Sequence, residues 1–385
     1  MSDHLTGTCA VKAWRRPSGS VEVSVMSPIL VPAQHAARHR RSHGRHFRRV
    51  RWATMWCDRM SLKLVTAGSV VAAAAMLASV STAPVNAAPK GAHVVAEKVR
   101  SIHRVDLTVK SAAMNGSVPV TVLSPGGSGP RPTVYLLDGA DGGDKVSDWI
   151  TKGGAESFFA GRNVNVVLPA GGAGSFYTNW EKPDKKLGKP QWETFLTQEL
   201  PPVIDAKFSG SGRNAVMGLS MGGQSAFALA TRHPKLYRGV ASMSGCPRVS
   251  GQANEAYVRA TVAKSGANAD NMWGAPGSKD WVQHDPAHKL DALRGKALYI
   301  SSGSGAVGPL DLAAKRDPKD GPENAQIAAG SALEVGANRC SLEFATLLRA
   351  NDIPFTSGFR LIGTHSWDYW KRDLPEAWNA IAPSL

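Results

Sequence analysis

The chain has 385 residues, of which 43% are hydrophobic, and this composition supports a packed core and excludes an intrinsically disordered or collagen-like protein. The formal net charge of +15 would suit a nucleic-acid-binding protein, but residues 1–60 hold eleven Lys or Arg against three acids, a net charge of +8. The remainder is mildly basic and has no dense Lys/Arg stripe, so we do not predict nucleic-acid binding.

Residues 60–88 have the plan of a secretory signal peptide. Lys63 precedes an apolar run over 64–80, and small residues that suit a signal peptidase follow it. The run is rich in alanine and short for a membrane span, so a retained anchor is the weaker alternative. We therefore expect residues 1–59 to be a basic extension, either disordered or the product of a misassigned translation start. Residues 89–385 are expected to work outside the cytoplasm.

The region 89–385 is predicted to form one domain of alternating strands and helices. Segments 103–112 and 117–125 alternate between apolar and polar residues on either side of a short turn, which predicts an antiparallel pair. Short apolar runs further along predict buried strands, and helical patterns separate several of them. Such alternation predicts a mostly parallel sheet with helices on both faces. The predicted strands are 133–139, 163–171, 214–220, 239–245 and 297–303, and the clearest helices are 190–208 and 222–234.

The strongest local motif is Gly218-x-Ser220-x-Gly222, which lies between a predicted strand and a predicted helix. The flanking glycines permit the strained turn that lifts a serine hydroxyl clear of the sheet in α/β-hydrolases. Five-residue Gly-Ser patterns also arise by chance, but the strand–turn–helix context favours a nucleophile. The sequence therefore predicts an α/β-hydrolase fold with its active site at the carboxyl ends of the strands.

A serine nucleophile in this fold needs an acid and a histidine base, in the chain order Ser, acid, His. His365 follows the last predicted strand, residues 354–363, and so takes the place of the base. Several carboxylates lie between the strand at 297–303 and this histidine, and chain order alone does not choose among them. They are Asp311, Asp317, Asp320, Glu323 and Glu334.

Several longer stretches of the chain resemble sequences of the antigen 85 mycolyltransferase family. Its members are α/β-hydrolases that move mycolyl groups between trehalose carriers and the cell wall. The matching stretches include VVLPAGGAGSFYTNW (166–180), GLSMGGQSAFALATRHPKLYRG (218–239) and GTHSWDYW (363–370). Together with shorter matches they cover about 130–385 in the same order.

The resemblance implies a role for each member of a catalytic triad. Ser220 would be the nucleophile and His365 the base. The family's acid precedes a Gly-Ala-Asn turn and a helix, and LEVGANRCSLEF (333–344) reproduces that pattern, which selects Glu334. Asp311 is the rival acid if this alignment fails.

The same resemblance implies residues around the triad. The oxyanion hole would consist of the backbone N–H groups of Ala140 and Met221. Asp138 and Trp367 match residues near the sugar acceptor. Trp149 is a second aromatic side chain that could line an acceptor site, because flat rings suit sugars, although packing is an equally good explanation of either tryptophan.

Two departures from the family pattern bear on the acceptor. Family members commonly carry an arginine directly after the oxyanion residue, where this chain has Asp141. The family's short disulfide loop is also missing, because residues 182–189 contain no cysteine. We expect the fold and acyl-enzyme chemistry to survive these changes and the selectivity for trehalose to be weaker.

Cys246 and Cys340 are predicted to form a disulfide. They are the two cysteines that follow the predicted export signal. Two cysteines in a secreted domain are more often paired than free. Cys246 follows the predicted strand at 239–245, and Cys340 lies six residues after Glu334. Both are therefore expected on the active-site side of the sheet, close together.

The resemblance implies a secreted or cell-envelope serine acyltransferase that moves mycolyl groups between trehalose esters and sugar acceptors. A carboxylesterase of the same fold is the first alternative, and a non-catalytic, secreted matrix- or glycan-binding protein is the second. The expected partners are acylated trehalose or another lipid ester and glycolipids of the cell envelope, without a stable protein partner. The sequence contains no metal-ligand cluster, phosphate loop or dinucleotide fingerprint, so we expect no cofactor.

Overall fold

The computed structural model describes residues 91–314 and 316–385, so the predicted basic extension (1–59) and export signal (60–88) lie outside the described residues. Within these ranges nine strands form one sheet in the order β1-β2-β3-β5-β4-β6-β7-β8-β9. The strands are β1 (His93–Ser101), β2 (Arg104–Ser111), β3 (Gly116–Leu123), β4 (Arg131–Leu137), β5 (Asn165–Pro169), β6 (Gly210–Leu219), β7 (Tyr237–Met243), β8 (Ala297–Ser302) and β9 (Thr356–Phe359).

The helices lie between the strands and after the last one. A π-helical stretch, Phe195–Glu199, joins the short helix at Trp192–Thr194 to the helix at Leu200–Phe208 without a break. Within the described ranges, no helix is both long and apolar enough to cross a membrane. The helices are α1 (Asp148–Thr151), α2 (Ala155–Phe159), α3 (Trp192–Thr194), α4 (Leu200–Phe208), α5 (Met221–Arg232), α6 (Gln252–Lys264), α7 (Asp270–Trp273), α8 (Lys279–Gln283), α9 (Pro309–Ala313), α10 (Glu323–Ala350) and α11 (Trp367–Ile381).

Helices cover both faces of the sheet and enclose a hydrophobic core on each. One core joins Tyr135 of β4 to apolar side chains of α4, α5, α6 and α10. The other joins the preceding residue, Val134, to side chains of α1, α2 and α11. Successive residues of a strand point to opposite faces, so a strand buried on both faces must be apolar throughout. This architecture confirms the predicted fold class.

The order of the strands creates the crevice in which the site lies. Strands β4 to β9 form parallel pairs, and β1, β2, β3 and β5 are joined by antiparallel pairs. The chain leaves β4 to form β5 on one side and later returns to form β6 on the other. Ligands of such sheets bind where the strand order reverses, outside the carboxyl ends of the strands. The loops after β4 and β6 carry Ala140 and Ser220.

The predicted antiparallel pair and the five predicted buried strands are present, and one predicted turn is wrong. The Gly-Ala-Asn segment (336–338) lies inside α10 and forms no turn. Buried residues Glu334, Ala337, Ser341 and Phe344 recur at helical spacing along this helix. Packing of that face outweighs the helix penalty of one glycine, which is about 1 kcal/mol relative to alanine.

Cys246, just after β7, forms a disulfide with Cys340 of α10, and the two Cα atoms are 5.1 Å apart. Both residues are buried. The bond closes a loop with a sequence separation of 94 residues and ties the end of β7 to α10.

Removing this disulfide should lower the free energy of unfolding. On the chain-entropy model a loop of this length contributes up to about 4–5 kcal/mol. We expect Cys246→Ala/Cys340→Ala to unfold at a lower urea concentration than wild type, and reduced wild type to match the variant. Peptide mapping after alkylation of unfolded, unreduced protein should find both cysteines unmodified, and alkylation of both would contradict the pairing.

Candidate active site

Ser220 occupies a strained turn between β6 and α5. Its backbone has a positive φ of 50° with ψ of −123°, a conformation that residues with a side chain rarely adopt. A Cβ atom on Gly218 would overlap the backbone of Gly222, and one on Gly222 would overlap the backbone oxygens of Leu137 and Asp138. The two motif glycines therefore let β6, α5 and β4 meet closely enough to form the elbow, which holds the serine hydroxyl at the crevice.

Three residues distant in sequence meet in a hydrogen-bonded chain at this crevice. His365 Nε2 is 2.8 Å from Ser220 Oγ, and His365 Nδ1 is 2.7 Å from Glu334 Oε2. The carboxylate favours the tautomer with its proton on Nδ1, which leaves Nε2 free to accept the serine proton. Ser220 follows β6, Glu334 lies in α10 and His365 precedes α11. The arrangement has the geometry of a Ser–His–Glu triad.

The other oxygen of Glu334 is bound as well. Glu334 is fully buried, and its Oε1 accepts hydrogen bonds from Ser244 Oγ at 2.7 Å and from the backbone N–H of Gly303 at 2.5 Å. These donors follow β7 and β8 and stabilise the charged form of a carboxylate that burial would otherwise penalise.

Trp370 links the base to this support. Its ring meets the imidazole of His365 edge to face, with 4.9 Å between the ring centroids. Its indole N–H donates to Ser244 Oγ at 3.0 Å, and Ser244 in turn donates to Glu334. The aromatic residues after His365 therefore have a packing role and a positioning role together. Sequence reasoning missed Ser244, which lay inside the predicted strand at 239–245 and has no neighbour in sequence that marks it as a partner of Glu334.

The acid candidates from the sequence separate clearly in the structure. Of the five, Glu334 is the one whose carboxylate contacts His365. Asp317, Asp320 and Glu323 are exposed. Asp311 is fully buried, but its hydrogen bonds go to other residues.

The loop after β4 passes over the nucleophile, as an oxyanion hole requires. A Cβ atom on Gly139 would lie 3.4 Å from the Cβ of Ser220. Ala140 follows in this loop, and Met221 begins α5, where a helix leaves backbone N–H groups without intrahelical acceptors. The assignment of Ala140 and Met221 to the oxyanion hole remains a prediction.

Asp138 is buried beneath the same loop. Its carboxylate accepts from Ser147 Oγ at 2.9 Å and from the backbone N–H groups of Asp148 and Trp149 at 3.2 and 3.3 Å. Burial raises the pKa of Asp138 to about 7 and outweighs these hydrogen bonds, which favour the charged form. Asp138 thus stabilises the first turn of α1, whose N-cap is Ser147, and its proximity to a sugar acceptor stays a prediction.

The two tryptophans proposed for an acceptor site differ in exposure. The interpretation that Trp149 lines the site is wrong, because its side chain is fully buried and its indole N–H donates to the Leu137 carbonyl. Trp367, at the start of α11, is half-buried and packs edge to face against Trp149 and Trp370. A role for Trp367 in binding a sugar remains a prediction.

Asp141, which stands where the family commonly has arginine, forms an ion pair on the surface. Its carboxylate lies 2.6 Å from Lys264 Nζ, at the end of α6, and both side chains are more than half exposed. The cation next to Asp141 therefore comes from α6 and not from the loop that carries Ala140. Within the described part of the chain, no group of three His, Cys, Asp or Glu side chains is placed to hold a metal ion.

The fold and the contacts at His365 together define a class of protein, the α/β-hydrolases with a serine nucleophile. Comparison with known proteins then gives the family: the chain belongs to the Esterase family, whose model matches residues 111–381, and antigen 85 mycolyltransferases are among its relatives. The resemblance predicted from the sequence is confirmed.

Three comparisons with two relatives illustrate the match. The chain is 33% identical to the diacylglycerol acyltransferase/mycolyltransferase Ag85B of Mycobacterium leprae over 289 residues, which are 72% of this chain and 82% of that protein. It is 40% identical to the MPT51/MPB51 antigen of Mycobacterium tuberculosis over 183 residues, 47% of this chain, and this match spans 58% of the antigen's length. The crystal structure of Mycobacterium tuberculosis MPT51 superimposes with a TM-score of 0.58 at 31% identity, covering 70% of this chain and 96% of that one.

Substitutions in the triad should remove turnover and leave the fold intact. Ser220→Ala and His365→Ala are expected to lower kcat about 10⁴- to 10⁶-fold, and Glu334→Gln less, because the imidazole keeps part of its geometry. Glu323→Gln, an exposed carboxylate on the same helix as Glu334, is the matched control and should keep wild-type activity. Ester hydrolysis and circular dichroism measure the two properties. If the Asp311→Asn variant were inactive and the Glu334→Gln variant kept its esterase activity, the assignment of Glu334 as the acid would be contradicted.

Proposed function

We propose that this protein is a secreted serine acyltransferase that moves long-chain acyl groups, of the mycolyl type, between trehalose esters and sugar acceptors of the cell envelope. The observation that carries the proposal is the hydrogen-bonded chain from Ser220 through His365 to Glu334. Relatives named as diacylglycerol acyltransferases/mycolyltransferases support transfer to an alcohol.

The first half-reaction forms an acyl-enzyme. Ser220 Oγ attacks the ester carbonyl while His365 Nε2 takes its proton, and Glu334 stabilises the imidazolium that results. The backbone N–H groups of Ala140 and Met221 are proposed to stabilise the oxyanion of the tetrahedral intermediate. His365 then returns the proton to the leaving alcohol, and the acyl group stays on Ser220.

The second half-reaction decides between transferase and hydrolase. A sugar hydroxyl, or water, donates its proton to His365 and attacks the acyl-enzyme by the reverse of the first route. The two activities share every residue of the triad, so the acceptor side of the site must select between them. Asp141 is the observation that keeps a carboxylesterase as the second candidate, because the arginine that would help to hold trehalose is absent.

Two observations support the proposal that the protein works outside the cytoplasm. The pattern at 60–88 is typical of an export signal. The disulfide between Cys246 and Cys340 suits an oxidising compartment, since cytosolic thiols are kept reduced.

Incubation with a synthetic long-chain trehalose monoester tests the proposed activity. We expect wild type to convert the monoester into trehalose diester, resolved by mass, and Ser220→Ala to give none. Free fatty acid without diester would identify a carboxylesterase. If neither product forms and a fluorophosphonate does not label Ser220, the result would identify a non-catalytic binding protein.

Exchange of the charge at position 141 tests the acceptor side. A guanidinium donates several hydrogen bonds to sugar hydroxyls, whereas a carboxylate only accepts them. Asp141→Arg/Lys264→Asp, which keeps the ion pair in reverse, should raise the ratio of transfer to hydrolysis on the order of 2- to 10-fold, the effect of one hydrogen bond. Asp141→Asn is the control for loss of the charge alone. An unchanged ratio in the charge-exchanged protein would show that other residues select the acceptor.

A further inference from the structure

Asp311 is a buried carboxylate that the triad does not use. It lies on α9, fully buried, and its Oδ2 accepts from the backbone N–H of Gly308 at 2.8 Å and from the hydroxyl of Tyr369 at 2.9 Å. Its Oδ1 accepts from the hydroxyl of Thr364 and lies 3.7 Å from the guanidinium of Arg316. A buried charge must be well bound to be tolerated. Asp311 meets this condition with hydroxyls from one short segment of chain.

The two hydroxyls belong to residues that precede and follow the catalytic base in the sequence. Thr364 directly precedes His365, and Tyr369 follows it by four residues in the first turn of α11. The ring of Tyr369 also packs against Gly363, since a Cβ atom there would lie 3.0 Å from the ring. Burial and the neighbouring Asp311 raise the pKa of Tyr369 to about 12, so the phenol keeps the proton that it donates. One carboxylate thus holds both flanks of the segment that carries His365.

The base depends on the position of this segment. His365 must meet Ser220 and Glu334 together, at 2.8 and 2.7 Å, although the three residues come from separate elements. Backbone hydrogen bonds hold one side of the segment, from His365 N–H to Gly330 at 3.0 Å and from Gly363 N–H to Ala306 at 2.7 Å. Asp311 supplies the side-chain contacts on α9, so the histidine is held between α9 and α10.

We propose that Asp311 is a positioning residue for His365, which acts through Thr364 and Tyr369 and contacts neither the substrate nor the imidazole. The inference rests on the proposed function, because it concerns the base of the same acyl-transfer reaction. A displacement of about 1 Å in a catalytic group lowers the rate up to about 100-fold. Loss of these contacts should therefore slow the attack by Ser220 and leave substrate binding unchanged.

The test compares two substitutions of Thr364. Thr364→Val keeps the size of the side chain and removes the hydroxyl, whereas Thr364→Ser keeps the hydroxyl. Leu312→Ser, at a side chain on α9 that is 72% exposed, controls for changes to this helix. The readouts are kcat and KM for p-nitrophenyl butyrate and the rate constant for labelling of Ser220 by a fluorophosphonate. Each is expressed per folded molecule, counted by the final extent of labelling.

We expect Thr364→Val and Asp311→Asn to lower kcat and the labelling rate about 10-fold or more, with KM within about twofold of wild type. Thr364→Ser and Leu312→Ser should keep wild-type rates. Equal rates per folded molecule for Thr364→Val and Thr364→Ser would overturn the inference, including the case in which Thr364→Val is merely less stable. Failure of the wild-type protein to be labelled at all would instead contradict the proposed function, and this inference with it.

Discussion

The buried carboxylate of Glu334 is the constraint around which the site is built. It lies on a long helix and is fully shielded from solvent, so it must find all of its hydrogen-bond partners within the protein. Ser244 and Gly303 bring it donors from the ends of two neighbouring strands, and His365 completes the set. The carboxylate therefore links the ends of β7 and β8, which already pair in the sheet, to the segment before α11. The hydrogen bonds that satisfy this buried carboxylate are therefore the same contacts that bring the catalytic residues together.

The parts of the fold that were predicted from the sequence are those with strong local signals. The buried central strands are continuous apolar runs because both of their faces are covered, and the elbow at Ser220 combines two glycines with a strand and a helix. Strand β1 (His93–Ser101) was not predicted. Most of its residues are exposed, so no alternation of apolar and polar side chains marks it.

The predictions that were wrong or missing concern features that depend on contacts between residues distant in sequence. The turn at Gly336 was implied by the resemblance, but the helix continues there because its buried face packs into the core. The sequence around Trp149 does not distinguish a ring that packs in the core from a ring that is exposed in a binding site. Ser244 is one serine among many until α10 places Glu334 beside it. In each case the deciding interaction joins elements that are far apart in the chain, and a pattern of neighbours does not contain it.

The elbow glycines have a consequence for how relatives of this chain are compared. Gly218 and Gly222 are required by steric contact between backbones, and that requirement does not depend on any reaction. A relative that had lost its acid or its base would still need both glycines to pack the same strand against the same helix. The motif thus reports a shared backbone, and the chemistry of each relative is carried by the two contacts of its histidine. A survey of relatives that scores those contacts, in place of the motif, would separate catalysts from proteins that retain only the scaffold.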